Sequence, residues 1–178
     1  MVDILSSPLY ILATSVAYLV DADTRTTFEE KAKLITIFGK HVSRNELTQD
    51  ELHGVMADAF LFAGRIDIDR FIARIEPDLT PGQKASIVIN LYDAMLVDGQ
   101  VAAGERAVLN KFIAAFDLSR NTMRSIREVI MLKNDTAVFT DKGHPYNEPS
   151  YALELKMMVD DAGGQPQLTD SVAGAKKN

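Results

Sequence analysis

Leu91-Tyr92-Asp93-Ala94-Met95-Leu96-Val97-Asp98-Gly99-Gln100-Val101-Ala102-Ala103-Gly104-Glu105-Arg106 is the stretch on which the fold turns. An apolar helical run reaches Asp98-Gly99, a short turn follows, and Glu105 stands in the first turn of the next helical pattern. The same order occurs earlier, as Leu19-Val20-Asp21-Ala22-Asp23 followed by Glu30. Asp23 and Asp98 are 75 residues apart, and so are Glu30 and Glu105. At that offset, with no gap, Leu12 falls on Ile87, Val16 on Leu91, Leu34 on Leu109 and Ile37 on Phe112. A helix pair cannot bury its apolar face alone, so two copies imply two helical hairpins packed about a pseudo-twofold axis.

Working outward, the rest of the first 133 residues also reads as amphipathic helices with short connectors. The first helix should begin at Ser6 or Ser7 with Pro8 in the first turn, and carry Leu9, Leu12, Val16, Leu19 and Val20 on one face. Thr27-Phe28-Glu29-Glu30 has the spacing of a capping box and opens a second helix, with Leu34, Ile35, Ile37 and Phe38 on its apolar side and Gly39 at its C-terminal cap. Thr48-Gln49-Asp50-Glu51 is another box, opening a helix that Gly64 ends. Ile68 to Ile75 is a short helix stopped by Glu76-Pro77, Thr80-Pro81 starts the helix of the quoted stretch, and Ala103–Phe116 and Ser119–Leu132 complete the set. No run alternates with a period of two between turn dipeptides. The expected fold is therefore all-α, a compact bundle of about seven helices built on two pseudo-symmetric hairpins.

Residues 134–178 differ in kind from this helical domain of residues 1–133. Asp141 to Pro149 is a breaker-rich loop. Ser150 is positioned to cap one more helix, with Leu155, Met158 and Val159 on its apolar side, and from Gly163 the composition is that of a mobile tail.

Composition narrows the chemistry. The 178 residues contain no cysteine, which excludes disulfides, thiolate-bound zinc, iron–sulfur clusters and thiol nucleophiles. A net charge of −6 argues against a nucleic-acid binder, which needs a basic field. The apolar stretch Leu9 to Val20 is too short to span a bilayer and lacks the basic flank of a signal peptide. The expected location is the cytoplasm. No Gly-x-Ser-x-Gly elbow, phosphate loop or dinucleotide fingerprint occurs, so no catalytic nucleophile is visible.

The pattern helix–(Asp-Gly-x-Val-x-x-x-Glu)–helix resembles the TerB-like family, named for tellurite-resistance proteins. The quoted stretch carries it best; the first copy has Thr24 in place of the Gly and Thr26 in place of the Val. The resemblance spans about Leu9 to Leu132. It implies an all-helical, non-catalytic domain of bacterial stress and tellurite-resistance systems, with acidic positions regarded as a metal site. Carried over residue by residue, those positions are Asp23, Glu30, Asp98 and Glu105, with Asp21 and Asp93 as neighbours.

Two readings of these acids stand side by side. Carboxylates gathered by a twofold axis repel unless a cation neutralises them, and an all-oxygen set suits Ca²⁺, Mg²⁺ or Mn²⁺. Alternatively Glu30 completes its capping box, and Asp23 and Asp98 end helices through Asx-type turns. At the second copy the cap residue is Ala102, so Glu105 keeps its place without a reciprocal side-chain partner. An EF-hand beginning at Asp21 is excluded, because position six would be Thr26 and position twelve Ala32.

Arg120, Arg124 and Arg127 share one face of the last core helix. They suit an acidic partner or anionic lipid headgroups, or else form a solvated face paired with local acids. With Leu155 and Met158 they make up the expected protein-partner surface, peripheral membrane association being the other use of such a stripe. His41, His53 and His144 show no ligand spacing and read as surface or loop residues; Phe60, Phe62 and Phe71 read as core. The function expected is a non-catalytic stress or interaction module with a divalent cation at its acidic loops. The alternatives are a metal-free interaction subunit of a larger complex and, less favoured, a metal-dependent hydrolase.

Overall fold

Pro8 opens the first helix, α1 (Pro8–Asp21), after an extended Ser7. The ring's fixed φ suits that position, and the N–H it lacks would have had no helical partner. The computed structural model describes residues 7–22, 37–96 and 101–152. Residues 37–43 form α2, followed by α3 (Gln49–Ala63), α4 (Ile68–Ile75) with a 3₁₀ turn at Glu76–Asp78, and α5 (Pro81–Leu96). Then come α6 (Ala103–Phe116), α7 (Arg120–Asn134), the short α8 (Ala137–Thr140) and a 3₁₀ turn at Pro145–Asn147. No strand occurs among the described residues, and the all-α expectation holds.

The repeat is visible in what each copy buries. Val16 and Leu91 are both wholly buried, and Ile37 and Phe112 are buried alike. One expectation needs enlarging. The sequence assigns α1 a single apolar face, whereas the structure buries it nearly all round, from Ile11 through Val20 except Leu12. The cause is tertiary: α3, α5 and α6 all pack on α1. Its other faces carry Ala13, Thr14, Ser15 and Ala17, small enough for helices to approach. Ser15 Oγ satisfies itself on the Ile11 carbonyl at 2.8 Å, while buried Thr14 Oγ1 has no hydrogen-bond partner.

Gly39 is not a helix end, as its type suggests, but lies within α2. The cap is Asn45, at φ 56°. Glu46 N–H reaches the His41 carbonyl at 2.9 Å and Asn45 N–H the Val42 carbonyl at 3.0 Å, the paired bonds of a Schellman motif. Running past Gly39 lets Val42 pack on the core. The Thr27 box lies outside the described residues. The Thr48 box forms as expected: Glu51 N–H donates to Thr48 Oγ1 at 3.2 Å and Thr48 N–H to Glu51 Oε2 at 2.8 Å. These bonds, the backbone one foremost, hold the Glu51 carboxyl below its ordinary pKa.

An aromatic chain ties the elements together. The Tyr18 ring lies 5.2 Å from Phe71, and Phe71 meets Phe62 and Phe112 edge-on at 6.0 and 6.4 Å. Such pairs add about 0.5–1.5 kcal/mol to their area burial; of the three phenylalanines read as core, Phe71 is buried and Phe60 and Phe62 pack half-buried against the core. Tyr18 Oη donates to the Ile66 carbonyl at 2.8 Å, pinning the α3–α4 turn to α1. Burial, with Asp67 nearby, pushes its phenol up to about 12.

α7 lies against α5 through buried Met123, Ile126 and Ile130, with Lys133 Nζ 2.6 Å from Asp93 Oδ1. Beyond α7 the expected breaker-rich loop is an organised arm. His144 Nε2 meets Asp135 Oδ2 at 2.9 Å, and Asn147 Nδ2 donates to the Val138 and Asp141 carbonyls at 2.8 and 2.9 Å. The Tyr146 ring lies between His144, edge-on at 5.0 Å, and Tyr151, tilted at 4.8 Å, and Tyr151 Oη donates to Glu128 Oε1 at 2.9 Å. Residues 151 and 152 are not helical, so no helix starts at Ser150. Leu155, Met158, Val159 and the expected tail lie outside the described residues.

Candidate functional site

Glu105 owes its position to the start of α6. Ala102 is extended (φ −67°, ψ 148°) and offers no side-chain oxygen to the first-turn amides. Glu105, three residues on, supplies the other half of a box by accepting Ala102 N–H at Oε2, 3.1 Å away. Its side chain is buried with only 5% exposure, and it is the one charged core residue among the described residues. A carboxylate so placed needs compensation. The Ala102 amide gives one hydrogen bond, and Glu105 makes a further interaction besides.

Gly104 explains how the two copies meet. A Cβ there would stand 2.3 Å from the Ala22 carbonyl oxygen and 3.1 Å from its carbon. Only glycine lets the C-terminal cap of α1 seat against the first turn of α6. The end of the first hairpin's leading helix thus touches the start of the second hairpin's trailing helix. This contact sets the carbonyl end of one helix against the amide end of another, a favourable dipole arrangement. Asp21, the last residue of α1, has its carboxyl pKa raised by desolvation.

Of the four acidic positions, the structure places Glu105 beside this junction; Asp23, Glu30 and Asp98 lie outside the described residues. Among the described residues no group of three or more His, Asp or Glu side chains could hold a metal. Asp93 is not part of the junction's chemistry: both of its oxygens accept from Lys133 Nζ on α7, at 2.6 and 2.7 Å.

Arg120, Arg124 and Arg127 are exposed along α7 as the spacing indicates. Arg127 Nε donates to Tyr92 Oη at 3.1 Å, and Arg124 has a partner of its own. His53 is exposed; His41 pairs with Glu46 at 2.5 Å and His144 with Asp135. Two features escaped the sequence reading. Gly104 had a signal, a glycine in a helical first turn where alanine would serve, which marks close backbone approach. Phe139 had none: it is 92% exposed, on α8 of the folded-back arm.

The family described as tellurite resistance protein TerB matches residues 10–128. That span takes in both copies of the repeat and stops before the arm. No curated protein and no solved structure matches the chain. No helix among the described residues is long and apolar enough to cross a membrane.

Proposed function

The chain belongs to the TerB family, and from that premise we propose that it is a non-catalytic stress-response and interaction module that binds a divalent cation through Asp23, Glu30, Asp98 and Glu105. The observation that carries this reading is the Gly104–Ala22 contact. It brings the chain immediately before Asp23 against the residue immediately before Glu105, so acids 82 residues apart in sequence start from one place. The Glu105 carboxylate is buried, and carboxylate oxygens are the donors that a hard cation prefers. An all-oxygen donor set would take Ca²⁺, Mg²⁺ or Mn²⁺, which would supply charge neutralisation and a tie between the hairpins. In this reading the Ala102 amide orients the Glu105 carboxylate.

Elemental analysis of the purified chain, followed by calorimetric titration with each cation, tests it. Near-stoichiometric binding, lost in Asp98→Asn and Glu105→Gln while helicity is kept, is the expected result. A metal-free chain whose melting temperature ignores added cation would refute the metal site.

A metal-free interaction module is the second reading, favoured by the exposed Arg120/Arg124/Arg127 stripe and by Phe139 on its folded arm. Exposed aromatic and arginine side chains held rigidly are the usual anchors of interfaces. Capture of a specific partner that survives Glu105→Gln but is lost with Phe139→Ala and Arg124→Glu would select this reading.

A further inference from the structure

An open groove of about 370 Å³ lies between α5, α6 and α7. It is lined by the apolar Met95, Leu96, Leu109 and Met131 and by Arg106 and Arg127. Met131 is 50% exposed. Arg106 and Arg127 are both exposed, and Arg127 Nε donates to a neutral phenol, Tyr92. A chain of net charge −6 thus presents an apolar trough with local cationic charge.

We propose that residues 153–161 of the same chain occupy this groove, with Leu155, Met158 and Val159 on its apolar lining and the acids Glu154, Asp160 and Asp161 toward Arg106 and Arg127. Three observations point to this occupant. The described chain reaches the groove's border: Tyr151 bonds Glu128, and the neighbouring Arg127 lines the groove. Leu155 is three residues past Ala152, a reach of up to about 10 Å at about 3.3 Å per residue. The segment also matches in chemistry, having apolar residues at i, i+3 and i+4 and three acids against one lysine. Tethering adds an effective concentration in the millimolar range, which favours this segment over a free peptide of the same sequence. The assignment is independent of the metal reading, since neither Asp98 nor Glu105 takes part. Its consequence is that a partner for this face of α7 must displace the chain's own segment.

The absence of cysteine gives a clean test on the full chain. Met131→Cys with Met158→Cys, oxidised with diamide, should yield a monomeric disulfide at least fivefold faster than Leu61→Cys with Met158→Cys, whose first site is exposed on α3. Arg106→Glu with Arg127→Glu should slow that reaction at least threefold, and the corresponding lysine variants should not. A rate equal to the control, or disulfide-linked dimers as the main product, overturns the proposal, the latter in favour of a second copy. As a check that leaves the groove unaltered, a nitroxide on Met158→Cys should broaden the methyl signals of Met95 and Met131 and spare Met56. Equal broadening, or none, also overturns it.

Discussion

Replacing Gly104 by alanine should destabilise the protein, although alanine is the better helix former. The side chain's Cβ would sit 2.3 Å from the Ala22 carbonyl oxygen, where ordinary contact begins near 3.4 Å. The junction must therefore open by about 1 Å, and the obstructing group is backbone, which cannot swing aside as a side-chain tip would. Overpacking of this kind costs about 1–3 kcal/mol, and a rigid obstruction belongs in the upper part of that range. Alanine's helix propensity returns at most about 1 kcal/mol, less in a first turn than in a helix interior. The net loss is about 1–2 kcal/mol, or about 2–8 °C in melting temperature for a chain of this size. Gly54 provides the matched control: it is exposed within α3, and a Cβ there meets nothing within 4 Å. Gly54→Ala should raise stability by about 0.5–1 kcal/mol. Thermal and urea unfolding followed at 222 nm would measure both, with unchanged urea slopes showing that the same transition is compared. If Gly104→Ala is as stable as the unaltered chain, the close seating of α1 on α6 is wrong, and the proposed gathering of the acidic positions loses its support.

Other outcomes follow from single contacts. Thr14→Val should stabilise the fold by about 1 kcal/mol in chemical denaturation, because it removes a buried hydroxyl that has no partner. A loss instead would mean that the hydroxyl is satisfied. Tyr18→Phe gives up the bond to the Ile66 carbonyl and should cost about 0.5–1.5 kcal/mol. It should also flatten stability above pH 10. With the folded phenol near 12 and its ordinary value 10.0, the unfolded chain loses a proton between those pH values that the folded chain keeps. Stability is therefore full below pH 10 and falls as pH rises through that window; an unchanged slope in the variant would count against Tyr18 as its source. Thr48→Ala should cost about 1 kcal/mol through loss of the α3 cap. The Glu51 carboxyl, held low by its bonds to Thr48, contributes stability at neutral pH that is lost as pH falls through the acidic range. That acid dependence should shrink in Thr48→Ala, and stability curves between pH 3 and 7 would show whether it does.

Local signals were legible wherever one turn of chain contained the whole interaction. Thr48 and Glu51 are three residues apart, so their box could be read from spacing and is present bond for bond. Pro8 and Gly64 mark helix ends for equally local reasons. Gly39 misled because glycine is permissive without being obligatory at a cap. Asn45 took the left-handed position once α2 ran on to bury Val42. The arm after α7 was read as a loop because its order comes from side chains: His144 to Asp135, Asn147 to two carbonyls, Tyr151 to Glu128. No periodicity records bonds of that kind. At the candidate site the 75-residue repeat singles out four acids, of which Glu105 alone lies among the described residues, whereas the Gly104–Ala22 contact depends on a glycine whose role shows only beside its neighbour.

By itself the sequence determined that this protein is helical, doubled and free of cysteine, and that its acids recur in register. Those properties follow from periodicity, capping and composition, each carried within a few residues or by comparison of one segment with another. Only the tertiary structure decided that α1 is the central helix and that its C-terminal carbonyl seats on Gly104. It also decided that Glu105 is buried there and that the chain returns to α7 through Tyr151. These depend on which faces meet across the bundle, and close packing settles that choice through volumes and approach distances that no single segment contains.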